Sequence, residues 1–336
     1  MREDKILLAH GSGGKLSHDL IEQLFLPKLS NPFLQPLDDS ARITNQNGPI
    51  AFTTDSYVVS PLFFPGGDIG KLAVCGTVND LSMIGAIPAF LSLSLIIEEG
   101  FPISDIQRIV SSILESAEEA KVQIVTGDTK VVEHGAADGL FINTSGIGWV
   151  RSGTHLSGMN AKPGDRILLS GFIGDHELTI LSRREGFKFQ GDLKSDCAPL
   201  NDLVERMLHV SPNIRCMRDP TRGGLATTLN EIASKSNVGI MVEEEKIPVR
   251  ESARGICELL GLDPLYLANE GKLIAICPPE EADRLLEVMR NHPLGTDSAI
   301  IGRVTEEHPK KVALHTLIGG HRILDMLTGS QYPRIC

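Results

Sequence analysis

Apolar runs of strand length alternate with helical patterns along this chain, and the alternation is made twice, once on each side of a turn-rich segment. On the first side, residues 50–54 read as a short strand ending on Asp55, 68–86 as a helix rich in small residues, and 89–97 as a buried strand. Ser104 and Gln107 have the spacing of a capping box that opens a helix over 105–121, and strands return at 122–126 and 140–150. The turn Ala161-Lys162-Pro163-Gly164-Asp165 follows, which puts a domain boundary just before it, near 153–159. On the second side come a strand at 166–170, helices near 176–184, 200–209 and 221–235, a strand at 240–242 and a helix at 251–260. A strand–helix–strand over 273–276, 280–291 and 299–304 completes it. Near the N-terminus, Ser17 precedes Leu20, Ile21, Leu24 and Phe25 and is placed to cap a short amphipathic helix. Two α+β halves of similar size, each with strands packed under helices, is the architecture this pattern supports, and 336 residues suffice for two cores.

Composition narrows the class of function. Hydrophobic residues make up 41% with one Trp and three Tyr, which describes an aliphatic core. The net charge of −11 comes with no basic stripe, which argues against binding nucleic acid or an anionic membrane. The longest apolar runs are too short to span a bilayer, and the first nine residues carry no signal-peptide pattern. The cysteines at 75, 197, 216, 257, 277 and 336 form no C-x-x-C pair and none is spaced with His for zinc. A disulfide framework or structural metal is therefore not expected, and a reducing, cytoplasmic location is. Cys336 stands apart from the other five. It closes Gln331-Tyr332-Pro333-Arg334-Ile335-Cys336, where a thiol beside a free carboxylate can be modified by one protein and swung into the pocket of another.

Acidic residues at expected strand ends and corners carry the strongest chemical signal. They are Asp38-Asp39, Asp55 in Thr54-Asp55-Ser56, Asp80 in Asn79-Asp80, and Asp128 in Thr126-Gly127-Asp128-Thr129-Lys130. Any one of them reads as a helix cap or turn former; four in one half, three beside small residues, favour shared oxygen ligation of Mg²⁺ with nucleotide phosphates. His10-Gly11-Ser12-Gly13-Gly14-Lys15 is a glycine-rich loop before a helix, suited to phosphate, although it is neither a Walker A loop nor a G-x-G-x-x-G fingerprint. Arg218-Asp219-Pro220-Thr221-Arg222-Gly223-Gly224 opens a helix that Asp219 or Thr221 would cap. In Asn269-Glu270-Gly271-Lys272, Glu270 is a catalytic base or a turn residue.

Taken in order, Gly11-Ser12-Gly13-Gly14, Thr54-Asp55-Ser56, Asn79-Asp80, Thr126–Val131, Asp219-x-Thr221-Arg222-Gly223-Gly224, Asn269–Lys272 and the terminal Pro333-Arg334-Ile335-Cys336 resemble the HypE family of hydrogenase maturation proteins, the carbamoyl dehydratases. The internal motifs alone indicate the wider superfamily of aminoimidazole ribonucleotide synthetase and selenophosphate synthetase; the P-R-I-C ending is the specific part. Residues 40–50 match no motif.

The resemblance implies a glycine-rich loop and helix over 1–34, an ATP-binding dimerisation domain over 35–152, an α+β domain over 153–328 and a flexible tail over 329–336. It implies a homodimer whose N-terminal halves pair into a β-barrel. ATP would be held by Gly11, Ser12, Gly13, Gly14, Asn79 and Asp219, with Asp39, Asp55, Asp80 and Asp128 holding Mg²⁺ against it. A carbamoyltransferase partner, HypF, would load Cys336. The chain would dehydrate the S-carbamoyl group to a thiocyanate, and a HypC–HypD complex would receive the cyanide on iron. Glu270 would take the nitrogen proton and Lys130 would offset negative charge. The tail would alternate between an exposed state and one threaded toward Asp80 and Lys130. Two rival readings compete with this one. A phosphotransferase resembling selenophosphate synthetase would leave Cys336 idle and would want a reactive Cys near the glycine loop, where residues 9–18 have none. A non-enzymatic carrier would present Cys336 with ATP as a conformational ligand only.

Overall fold

The computed structural model describes residues 4–11, 15–34, 48–186, 193–327 and 334–336. Ser12, Gly13, Gly14 and Asp39, assigned above to nucleotide and metal, lie outside them.

In the N-terminal half, a 3-10 turn at Leu8–Gly11 leads to α1 (Lys15–Leu20), which continues through a π-helical turn into α2 (Leu26–Leu29). Then come β1 (Ile50–Tyr57), the short hairpin β2 (Phe63–Phe64) and β3 (Gly67–Asp68), α3 (Ile69–Met83), β4 (Ala86–Glu98), α4 (Ile103–Ala120), β5 (Gln123–Val132) and β6 (Leu140–Val150). The sheet order is β1-β6-β4-β5, antiparallel except for β4 and β5, which α4 joins as a parallel pair. Period-two alternation buries Leu91, Leu93, Leu95 and Ile97 of β4 on the helix-covered face. The other face carries Phe52, 69% exposed, with Ile50, Ile87 and Ile96, and among the described residues Phe33 packs on it at Phe90. Within one chain this is an open sheet and not a closed barrel.

Small residues in α3 have a reason. A Cβ at Gly70 would stand 2.7 Å from Ile109 O of α4, and one at Gly76 would stand 2.3 Å from Tyr57 Oη of β1. Only glycine lets the helix lie that close to both neighbours. Asp68 caps α3, accepting from the N–H groups of Gly70 at 2.8 Å and Lys71 at 3.0 Å.

The C-terminal half runs β7 (Arg166–Leu169), α5 (Asp175–Arg184), α6 (Asn201–Val210), β8 (Cys216–Arg218), α7 (Gly224–Ser236), β9 (Gly239–Glu243), α8 (Glu251–Leu260), β10 (Ile274–Cys277), α9 (Pro279–Arg290), β11 (Ala299–Thr305), β12 (Val312–His315) and β13 (His321–Leu324). Its seven strands lie in the order β13-β12-β9-β11-β7-β10-β8, mixed but mostly antiparallel. The whole is a two-domain α+β fold. No helix among the described residues is long and apolar enough to cross a membrane.

Several local expectations change. Asp55 sits inside β1 rather than at its end, and Asp128 and Lys130 lie within a β5 that runs well past Thr126. Asp80 is in the last turn of α3, so it is neither a cap nor a corner. The helix α4 starts before Ser104, with Pro102 as its N-cap and no side-chain capping bond. Likewise α1 begins at Lys15, which puts Ser17 inside it. Gly223, in the left-handed region at φ 80°, precedes α7, and neither Asp219 nor Thr221 caps that helix.

Candidate active site

Glu270 sits where the two domains meet, on a loop held from every side. Asn79 of α3 donates to Glu270 O at 3.3 Å and to Ala198 O at 3.2 Å, and its Oδ1 accepts from Leu200 N at 2.8 Å. The Asn79 amide thereby ties α3 to the Glu270 loop and to the segment at Ala198–Leu200. Asp196 accepts from Glu270 N at 3.1 Å and Gly271 N at 3.3 Å, and pairs with Lys272 at 3.3 Å. A Cβ at Gly271 would lie 1.8 Å from Asp196 O, so the loop can close against this neighbour only with glycine. Asn269 Oδ1 accepts from Gly174 N at 2.8 Å, while Glu177 Oε2 accepts from Ala268 N at 2.7 Å.

Glu270 Oε1 is buried and has no hydrogen-bond partner among the described residues. Such an atom is costly unless something else meets it. Burial pushes the carboxyl well above the usual range, and the neighbouring Cys197, Asp219, Asp196 and Asp55 push it the same way.

The tail comes to this place. Ile335 is buried in the N-terminal core, and Cys336 packs against it. Val58 N–H donates to Cys336 O at 3.2 Å and Ser60 N–H to Arg334 O at 3.2 Å, extending β1 pairing onto the last residues. Arg334 Nε donates to Val58 O at 2.8 Å, and its guanidinium pairs with Asp138. Burial raises the Cys336 thiol to about 12; Glu270 and Asp55 act the same way and Arg222 opposes them. The last three residues are therefore packed against the N-terminal core, within electrostatic reach of Glu270, Asp55 and Arg222.

Asp55, Asp80 and Asp219 form an acidic group next to them. Thr53 Oγ1 donates to Asp80 Oδ2 at 2.9 Å. Burial raises Asp80, with Asp55 adding to it. Asp219 is raised to about 7 by burial first and by Asp80 and Asp55 after it. Carboxyls that repel one another in a sheltered place fit a hard divalent cation. Asp128 does not join them. It is exposed on β5, three strand spacings or about 14 Å from β1, and Lys130 Nζ pairs with it at 2.9 Å. Among the described residues no three His, Cys, Asp or Glu side chains form a ready metal cage. Glu270 and Lys130, expected to work together, are not brought together within one chain; Lys272, paired with Asp196, lies on Glu270's own loop.

One residue carried no signal in its spacing. Buried His10 accepts from Leu7 N on Nδ1 at 2.9 Å and leaves its buried Nε2 without a partner among the described residues. It lines a cavity of about 270 Å³ with Phe25, Leu93, Ile124, Asp128 and Lys130. Gly11 follows directly and ends the 3-10 turn.

The family model described as AIR synthase related protein, N-terminal domain, matches residues 37–150, and that for the C-terminal domain matches 162–315. Carbamoyl dehydratase HypE of Azotobacter vinelandii is 56% identical over 336 residues, covering 100% of this chain and 98% of the relative. The chain belongs to the HypE family of AIR synthase related proteins. A crystal structure of hydrogenase maturation protein HypE in complex with ATP matches with a TM-score of 0.95 at 54% identity, covering 98% of this chain and 99% of that one. A chain of a crystal structure of the HypE–HypF complex matches with a TM-score of 0.81 at 50% identity, over 92% of this chain and 99% of that one.

Proposed function

We propose that this chain is an ATP-dependent carbamoyl dehydratase that converts an S-carbamoyl group on Cys336 into an S-thiocyanate, the source of the cyanide ligands of the [NiFe]-hydrogenase iron centre. The observation that carries the reading is the docking of the last three residues within electrostatic reach of a buried Glu270 carboxyl whose Oε1 has no partner among the described residues. Overall, the S-carbamoyl group and ATP give S–C≡N, ADP and phosphate. ATP supplies the phosphoryl group that turns the carbamoyl oxygen into a leaving group.

The chain's own residues do the rest. The pairing of Val58 and Ser60 with the tail presents the loaded sulfur to Glu270. Asp55, Asp80 and Asp219 suit Mg²⁺ bound with the phosphates, and neutralising Asp219 and Asp55 would relieve part of what holds the Glu270 carboxyl up, favouring the carboxylate that accepts a nitrogen proton. As the second N–H bond gives up its electron pair to the forming triple bond, the carbon–oxygen bond breaks and phosphate leaves. Burial excludes water that would hydrolyse the activated carbamoyl.

Supporting a homodimer, the sheet face opposite the helices exposes Phe52, Ile50 and Ile87, and a barrel made with a second copy would bury them. A second copy would also bring an Asp128–Lys130 edge to the Asp55 group, which one chain lacks. The apolar cavity at His10 suits the adenine, and the glycine-rich sequence that follows it remains the candidate for the phosphates. The carbamoyltransferase HypF is the loading partner, and a HypC–HypD complex the acceptor of cyanide.

Mass spectrometry of Cys336 after incubation with HypF, carbamoyl phosphate and ATP tests the assignment. The expected record is a carbamoyl adduct that then loses one water. An adduct that persists with ATP present would leave the chain a carrier and not an enzyme.

A further inference from the structure

Consecutive residues of α5 hold the two partners of the proposed reaction. His176 is fully buried, and its Nε2–H donates to Ile335 O at 3.0 Å, one residue before the carrier cysteine. Glu177 takes the N–H of Ala268, two residues before Glu270, at 2.7 Å. The other imidazole nitrogen also reaches the Glu270 loop: Ser195 Oγ–H donates to His176 Nδ1 at 2.7 Å, and the adjacent Asp196 carries Glu270 N–H. A carbonyl oxygen only accepts, so the Ile335 carbonyl fixes the proton on Nε2 and leaves Nδ1 to accept from Ser195. At the far end of the same helix, Arg184 donates to Ser60 O at 2.7 Å and to Arg334 O at 2.7 Å.

We infer that α5 is a register bar: His176 and Arg184 clamp the main chain of Arg334 and Ile335 so that the next residue, Cys336, stands opposite Glu270. His176 is a positioning residue for the dehydration, and it acts on the backbone of the tail rather than on the reacting group. A carbonyl-reading clamp tolerates whatever the sulfur carries, thiol, carbamoyl or thiocyanate, because it touches nothing beyond the residue before it. Main-chain pairing to Val58 and Ser60 alone would admit a slip along the strand, and a slip of one residue turns every side chain to the other face. Two fixed donors 8 positions apart on one helix remove that freedom.

The inference rests on the dehydratase reading only for its activity arm. In full-length protein, His176→Ala should accept a carbamoyl group on Cys336 to the wild-type extent, since loading happens on the partner, and should bind ATP as wild type does. Single-turnover water loss, read by mass, should fall by about tenfold or more, the effect of losing one buried hydrogen bond. Cys336 should become about tenfold faster to alkylate with iodoacetamide. His176→Gln, whose amide can donate to the same carbonyl, should recover much of both. Arg184→Ala, at a half-buried site, should show the same pair of changes more weakly and decides the matter if His176→Ala does not fold. Alkylation unchanged in both alanine variants would overturn the clamp whether or not the protein dehydrates anything. Dehydration lost with Cys336 still protected would do the same. A wild-type chain that alkylates slowly yet never loses water would instead remove the dehydratase reading and leave the clamp standing.

Discussion

Asp55 and Asp128 stand within one residue of the same level of the N-terminal sheet, on its two opposite edges. Asp55 faces Thr144 on β6, Thr144 faces Leu93 on β4, and Leu93 faces Gly127 on β5. The separation is too wide for one ion to bridge within one chain, so the two residues serve a single site only if a second copy supplies one of them.

That arrangement makes complementation the test of the dimer. Asp55→Asn and Asp128→Asn should each be inactive alone. Mixed and re-equilibrated, they should regain about a quarter of wild-type activity, the share of intact sites in randomly paired dimers. No recovery, with mixed dimers present by native mass spectrometry, would put both residues in one chain's site or in none.

Asp80→Asn separates a metal ligand from a structural residue. Asn can still accept from Thr53, so the fold should survive with little change in Tm. Loading of Cys336 should persist, while dehydration should fall by about a hundredfold or more, as when one preorganised charge partner is removed. The trapped species is the thiocarboxamide, visible by mass; dehydration at the wild-type rate would return Asp80 to a structural role.

Asp219 predicts a pH dependence of stability. Its carboxyl is raised from 3.8 to about 7, so the native state holds a proton that the unfolded state has given up. Its contribution is favourable at low pH and is lost as pH climbs from about 4 to 7. The Tm difference between Asp219→Asn and wild type should therefore shift in favour of the variant between about pH 5 and 7.5. Mg²⁺ should offset the wild-type loss at the upper end. A difference that stays flat with pH would show that the carboxyl ionises normally.

Gly271→Ala should be among the more damaging small changes. Its Cβ meets the Asp196 carbonyl, and the loop must shift by an ångström or more. We expect a loss of about 2–3 kcal/mol and a Tm lower by about 5–10 °C. Dehydration should fall further than stability alone explains, because Asp196 also carries the Glu270 N–H. Thermal melts beside single-turnover assays check both.

What could be read without coordinates follows from how local each signal is. The strand at 140–150 and the helix at 251–260 end where their patterns end, because apolar periodicity and flanking turns are properties of neighbouring residues. β8, β12 and β13 are not legible in the pattern, although β7 and β10, no longer than they are, show as short apolar runs between turns and helices. Ser104 has the spacing of a cap, yet the chain enters α4 earlier, through Pro102. In the candidate site, the acidic motifs and Glu270 were legible as residue types. Their grouping was not, because it depends on which strand lies beside which: Asp128 reads like Asp55 along the chain and sits at the opposite edge. His176 and Asn79 gave no hint of their roles, which exist only through contacts 159 and 191 residues away.

The seat of Cys336 has one more consequence. A thiol that burial pushes up to about 12 is almost wholly protonated at neutral pH, and only the thiolate attacks peroxide or an electrophile readily. An idle chain thus keeps its half-buried sulfur less reactive toward oxidants and electrophiles until the tail is drawn out. The reactivity that makes cysteine a good carrier is switched on by exposure alone, and a chain waiting for cargo ages no faster for carrying it.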